Sequence, residues 1–227
     1  MKQTIKKAFI ATVPVLAGYL ALGFGFGIIL NANGYGILVA FIMSLSIYAG
    51  SMQYVAVGLL ASDASLITVA VTTFVVNVRH LFYGISMLDK YKNIGKIKAY
   101  LMFALTDETY SLLCNDNPIV PESRKKQYYF FVSFLNHMYW ITGCVLGATV
   151  GTLVKFNSEG IDFVLTALFV TIFIEQWLTS KKHVPAIIGV VVTALCLIIF
   201  GSESFLIPAM IVITILLSLY KEGNENA

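Results

Sequence analysis

Apolar runs long enough to cross a bilayer dominate this chain and leave few architectures open to it. A hydrocarbon core is spanned by about 20 apolar residues in helical form. Eight stretches approach that length: Ala8 to Leu30, Gly36 to Ala61, Ser65 to Leu88, Ala99 to Cys114, Tyr128 to Leu153, Ile161 to Trp177, Val184 to Phe200 and Phe205 to Tyr220. In lipid each backbone N–H and C=O must find a partner inside the membrane, which admits only helices or closed barrels. The runs lack the alternation of barrel strands, so helices are predicted. Hydrophobic residues make up 58% of the 227 positions and charged residues only 12%, against roughly 25% charged in an average soluble domain. The expected fold class is therefore an all-α integral membrane protein with about eight helical segments. A mean hydropathy of +0.83 and a net charge of +3 exclude a disordered chain, a collagen repeat and a nucleic-acid module. Cys114, Cys144 and Cys196 sit in or at the ends of apolar runs, without metal-ligand spacing, and read as buried thiols.

Connections between the runs are short, as at Asn31 to Gly34 and Ser62 to Ala64, and the longest polar loop is Asn115 to Gln127. No linker separates soluble modules, so residues 1–227 are expected to form a single transporter domain. Lys2, Lys6 and Lys7 resemble the start of a signal peptide, but the apolar run behind them is too long and another span follows almost at once. Positive charge then bears on topology, because Lys and Arg favour the cytoplasmic side. If all eight segments cross and the N-terminus is inside, the bias is weak. Lys90, Lys92, Lys96, Lys98 and Lys155 all fall outside. If segments two and four instead enter and return to the side they came from, Lys155 alone falls outside. Both topologies stay open at this point. Segments two and four also have the most polar interiors, and non-helical backbone at membrane depth is tolerated where it is buried in protein or lines a watery cavity.

An ionised side chain at mid-membrane costs on the order of 2.5–3.5 kcal/mol on insertion scales, so polar residues inside the runs form the functional shortlist. In segment one, Pro14 and the triplet Gly23, Gly25 and Gly27 interrupt the apolar pattern. Residues two apart lie about 200° apart on a helix, so the triplet predicts a loosened stretch more readily than one packing face; a Gly-tolerant packed helix is the alternative. Segment two carries Tyr48, Ser51 and Gln53 around Gly50. A break at Ala49-Gly50 would start a half-helix whose positive end faces mid-membrane and suits a carboxylate; a kinked helix is the alternative. Segment three holds Asn77, Arg79, His80 and Tyr83. Arg79, about 15 Å into the segment, either pairs with Asp107 or Glu108 or snorkels to headgroups. In segment four, Thr106-Asp107-Glu108-Thr109 places both carboxylates toward one cavity only if the backbone leaves the helix there. One of them is then a proton carrier, or they form a structural pair, one holding Arg79 and the other capping the N-terminus of a half-helix. His137 lies deep in segment five, either as a packed residue or as a proton relay, and Glu175 near Trp177 in segment six suits the interface.

Nothing in the chain supports enzyme chemistry. Phosphate-loop, zinc-pair, nucleophile-elbow and dinucleotide motifs are all missing, so no cofactor or metal is expected. Three runs do carry a resemblance: Tyr48 to Tyr54 (YAGSMQY), Asn77 to Gly84 (NVRHLFYG) and Phe103 to Tyr110 (FALTDETY). Together they resemble the AzlC family, the large subunits of branched-chain amino acid exporters, with Met52 standing where a small residue is expected. The resemblance implies efflux of leucine, isoleucine and valine, with methionine as a further substrate. It also implies a small AzlD-type membrane subunit and a place in the bacterial cytoplasmic membrane, where the distribution of positive charge is read with the N-terminus cytoplasmic. Without an ATP-binding element the expected mechanism is proton- or potential-coupled secondary transport. Gly50, Ser51, Gln53, Asn77, Arg79, Tyr83, Thr106, Phe24 and Tyr54 are the expected substrate-binding residues, with Phe26 beside them, and Asp107, Glu108 and His137 the proton-coupling ones. A channel-like pore and a non-transporting assembly subunit are the alternatives, and a higher-order oligomer is left open.

Overall fold

The computed structural model describes residues 2–92, 94–114, 120–153, 170, 173–174, 177–178, 183–201 and 205–225. The described residues contain helices and turns and no strand, in agreement with the all-α class. They fall into two compact units, Met1–Leu165 and Thr166–Ala227. The first comprises α1 (Lys2–Ala32), α2 (Ile37–Ser46), α3 (Gly50–Ala61), α4 (Leu66–Met87), α5 (Ile97–Phe103), α6 (Asp107–Leu113) and α7 (Lys125–Leu153). In the second, α8 (Val184–Phe200) and α9 (Leu206–Glu225) pack through Val192, Cys196 and Ala209. Most of segment six, with Glu175 and Gln176, lies outside the described residues. Among the described helices, α1, α4 and the span Glu122–Leu153 that contains α7 are long and apolar enough to cross a membrane.

The first unit is organised by a seam between α1 and α7, which run parallel. Thr12 meets Tyr139 low on the seam, Gly23 meets Gly143 and Cys144, and Asn31 meets Gly151 at its upper end. A Cβ added to Gly23 would lie 2.9 Å from the Cys144 amide nitrogen, and one on Gly27 would collide with the backbone of Cys144 and Ala148. The glycines therefore do not loosen α1, which is helical from Lys2 to Ala32 even across Pro14. That expectation is corrected for a physical reason. Gly23 and Gly27 are four apart and share a face that lets two backbones touch, as small residues do in membrane helix pairs. Gly25 lies on another side, beneath the Tyr54 hydroxyl.

Segments two and four are each broken, and each turns back. From Tyr35, whose N–H donates to the Leu30 carbonyl at the upper end of α1, α2 descends until Tyr48 packs against Tyr19 and His137. α3 then rises again, so that Tyr54 donates to the Leu22 carbonyl and packs on Phe26. α4 runs antiparallel to α1 and brings Met87 into a buried cluster with Ala8, Leu113 and Tyr128. From that lower end α5 climbs until Thr106 meets Tyr19, and α6 returns Leu113 to the same cluster. Lys90 closes the loop by donating to the carbonyls of Leu113 and Cys114 at 3.2 and 2.6 Å. The unit thus holds a span followed by a re-entrant hairpin, twice, in opposite directions, with both tips at the level of Tyr19.

Apolar side chains face outward. Leu66, Ile67, Phe74, Leu81, Phe82 and Ile85 of α4 are all exposed, an arrangement suited to a surface in contact with hydrocarbon.

Candidate functional site

Neither hairpin tip is made by a glycine or proline inside the turn. At the first, Tyr48 adopts φ +44°, a left-handed conformation that costs a non-glycine residue about 1–2 kcal/mol. Its ring is held by stacking on His137 at 4.2 Å and by edge contact with Tyr19 at 6.4 Å. Gly50 then opens α3 against Trp140, where a Cβ would come within 3.1 Å of the indole. At the second tip, Thr106 is extended and caps α6, its hydroxyl accepting from the Thr109 N–H at 3.3 Å. Asp107 and Glu108 follow in the first turn of α6, where its positive end favours them.

Arg79 joins the two hairpins. Its Nη1 is 2.8 Å from Asp107 Oδ2, and its Nη2 donates to Ser51 Oγ at 2.9 Å. The pair is about one-third exposed on each side, so of the two positions open for Arg79 the structure shows pairing. Glu108 takes a different partner: Oε2 accepts from the Tyr19 hydroxyl at 2.6 Å, and the same hydroxyl is 2.7 Å from Thr106 Oγ1. Asn136 of α7 donates to Thr109 Oγ1 at 3.0 Å, and Trp140 donates to Gln53 Oε1 at 2.8 Å. Some hydrogen-bonding capacity is unspent. Arg79 Nε, Asp107 Oδ1, Gln53 Nε2 and Asn77 Oδ1 are buried and unpartnered among the described residues, an arrangement that normally calls for a bound solute or water.

The expected site residues divide by location. Gly50, Ser51, Gln53, Arg79, Thr106, Asp107 and Glu108 line the two tips or bridge them. Tyr54 is buried above the first tip against Phe26. Tyr83 stacks on Tyr110 at 4.5 Å, one helical turn along α4 from Arg79. Asn77 is partly buried on α4. Phe24 is 37% exposed while Phe26 is fully buried, because positions two apart face opposite ways on an unbroken α1. His137 is buried, its Nε2 3.3 Å from the Ser44 carbonyl at the end of α2 and its Nδ1 3.2 Å from the Tyr100 hydroxyl. A carbonyl only accepts, so Nε2 carries the proton and His137 serves as a cap on α2.

Tyr19 and Trp140 reach the site without having been singled out as binding residues in the sequence. Both lie in otherwise apolar spans, where an aromatic residue with a polar handle reads as ordinary packing. What could have flagged Tyr19 is the depth of its hydroxyl, eleven residues into the first run.

The AzlC protein family profile matches residues 14–154. The chain is 45% identical over 223 residues to the branched-chain amino acid transport protein AzlC of Bacillus subtilis (strain 168), covering 98% of this chain and 87% of that one. It is 41% identical over 225 residues to an uncharacterized membrane protein of Helicobacter pylori (strain ATCC 700392 / 26695), covering 98% and 97%. Inner membrane protein YgaZ of Escherichia coli (strain K12) is 27% identical over 208 residues, with 88% and 82% covered. No solved structure matches the chain.

Proposed function

This chain belongs to the AzlC family, and from that premise we propose that it is a secondary transporter exporting leucine, isoleucine and valine, with methionine as a further substrate. The family is one of transport proteins, not enzymes. The single observation that carries the mechanism is the meeting of two re-entrant tips through Arg79, Ser51 and Asp107. Discontinuous helices facing each other near mid-membrane are where secondary transporters hold their solutes.

A zwitterion with an apolar side chain asks three things of such a site. Its carboxylate is received by the first-turn N–H groups of α3 and the unspent Nε of Arg79. Its ammonium goes to a carboxylate at the α6 tip, which also trades it for a proton. Its side chain lies among Tyr54, Phe26 and Trp140, whose rings pack together. One methylene shifts the preference of such a wall by only about 1–3 kcal/mol, so several branched-chain substrates are accepted.

The cytoplasmic membrane is the proposed location, with the N-terminus inside. The re-entrant topology then leaves Lys155 as the outer positive charge and the other Lys and Arg, mid-segment Arg79 apart, inside. A small AzlD-type subunit is the proposed partner.

The test is leucine flux in proteoliposomes holding the full chain with its partner. Saturable flux accelerated by an imposed pH gradient or potential is expected. Asp107→Asn and Glu108→Gln should each abolish it while the protein stays in the membrane. Flux that neither saturates nor responds to a gradient would make the chain a pore, and full activity of both variants would remove the carboxylates from the mechanism.

A further inference from the structure

The two neighbouring carboxylates at the α6 tip have different partners, and the difference assigns them different work. Asp107 pairs with Arg79 through Oδ2 at 2.8 Å; its Oδ1 is buried and unpartnered among the described residues, but the guanidinium beside it repels a second cation. Glu108 pairs with no cation among the described residues; Tyr19 donates to its Oε2 at 2.6 Å. Tyr19 is 4% exposed, and its ring is wedged edge-on against Trp140 at 5.4 Å and Tyr48 at 6.4 Å. Thr106 Oγ1 fixes the same hydroxyl from the far side at 2.7 Å. The phenol therefore cannot swing away without disturbing both hairpin tips. An ionised carboxylate offers about four lone-pair sites. One of them is taken by Tyr19, which orients Glu108 without neutralising it. A charge at this depth is costly alone and gains most from a cation that comes to it.

We propose that Glu108, and not Asp107, receives the α-amino group of the transported amino acid, and that Tyr19 is the positioning residue that holds it ready. This rests on the reading above that the substrate is an amino acid. It means that Tyr19 of α1 acts on the ammonium of the substrate by way of Glu108, while Arg79 holds the carboxylate on the same carbon.

Displacement of labelled leucine from membranes carrying the full chain provides the test. Displacement by unlabelled leucine in the wild type bears on the amino acid reading alone, and its absence would sink that reading and this proposal with it. Tyr19→Phe keeps the ring and removes the hydroxyl. Leucine should then bind about tenfold more weakly, the scale of one hydrogen bond to a charged group. In a Glu108→Gln background the same change should cost nothing further, because the group being positioned is gone. An equal loss in both backgrounds would mark Tyr19 as merely structural, and no loss in either would remove it from the site; both results overturn the proposal. If Tyr19→Phe fails to reach the membrane, 4-methylpentanoate, which is leucine without its amine, decides between the carboxylates. Glu108→Gln should erase the preference for leucine over this analogue, whereas Asp107→Asn should leave a preference in place. The reverse pattern would hand the amine to Asp107.

Discussion

Arg79 shows how a single side chain sets the chemistry of the site. Its planar fork spends one nitrogen on Ser51 and another on Asp107, leaving Nε buried and unpartnered among the described residues. Lysine offers one ammonium on a flexible stem and cannot reproduce that fork. Arg79→Lys should therefore lower leucine export about ten- to hundredfold, the scale of one charge-assisted hydrogen bond, with the amount of protein in the membrane unchanged; export at the wild-type rate would exclude forked recognition. His137 carries the opposite expectation. Its two ring nitrogens are engaged by the Ser44 carbonyl and the Tyr100 hydroxyl, so His137→Gln, which retains a donor for Ser44, should export with an unshifted pH profile. A shifted profile would return His137 to the proton path. At this scale Arg79, Asp107 and Glu108 were legible in the sequence, because charge inside an apolar run has few innocent explanations. Tyr19 was not, because its phenol is equally at home in a membrane core and declares itself only through its neighbours.

Among the elements, the α1–α7 seam is the firmest and the least legible in the sequence. Glycine spacing of two suggested loosening, whereas the spacing of four from Gly23 to Gly27 decides the packing against Gly143, Cys144 and Ala148. Gly27→Ala places a methyl group into the opposing backbone. Overpacking of this kind costs typically about 1–3 kcal/mol, so a lower thermal unfolding midpoint in detergent is expected. Gly18→Ala, which meets nothing within 4 Å, should leave the midpoint unchanged or raise it slightly. The hairpin tips are easier to foresee: polar residues cluster within two of the apolar runs, and both clusters are breaks. The cap at the second tip is worth about 1 kcal/mol. Thr106→Val should thus weaken the α6 start and, through the lost contact with Tyr19, reduce transport more than stability.

For the whole molecule the open question was which side each loop occupies. The α4–α5 loop and the start of α7 share one end of the first unit: a Cβ on Gly95 would lie 3.8 Å from Lys126 Nζ. Cysteines at positions 92 and 126 should accordingly react with an impermeant maleimide from the same face of intact cells or inverted vesicles. Labelling from opposite faces would exclude the re-entrant topology. The sequence by itself determined the solvent, the helical class and the positions of the polar clusters, because the bilayer forces every backbone group into a local bond and makes each misplaced charge conspicuous. The tertiary structure decided that the two hairpins turn back, that glycines bind α1 to α7 rather than loosen it, and that Asp107 and Glu108 part company. Those outcomes depend on which side chain meets which across distant segments of the chain, and no local pattern encodes that meeting.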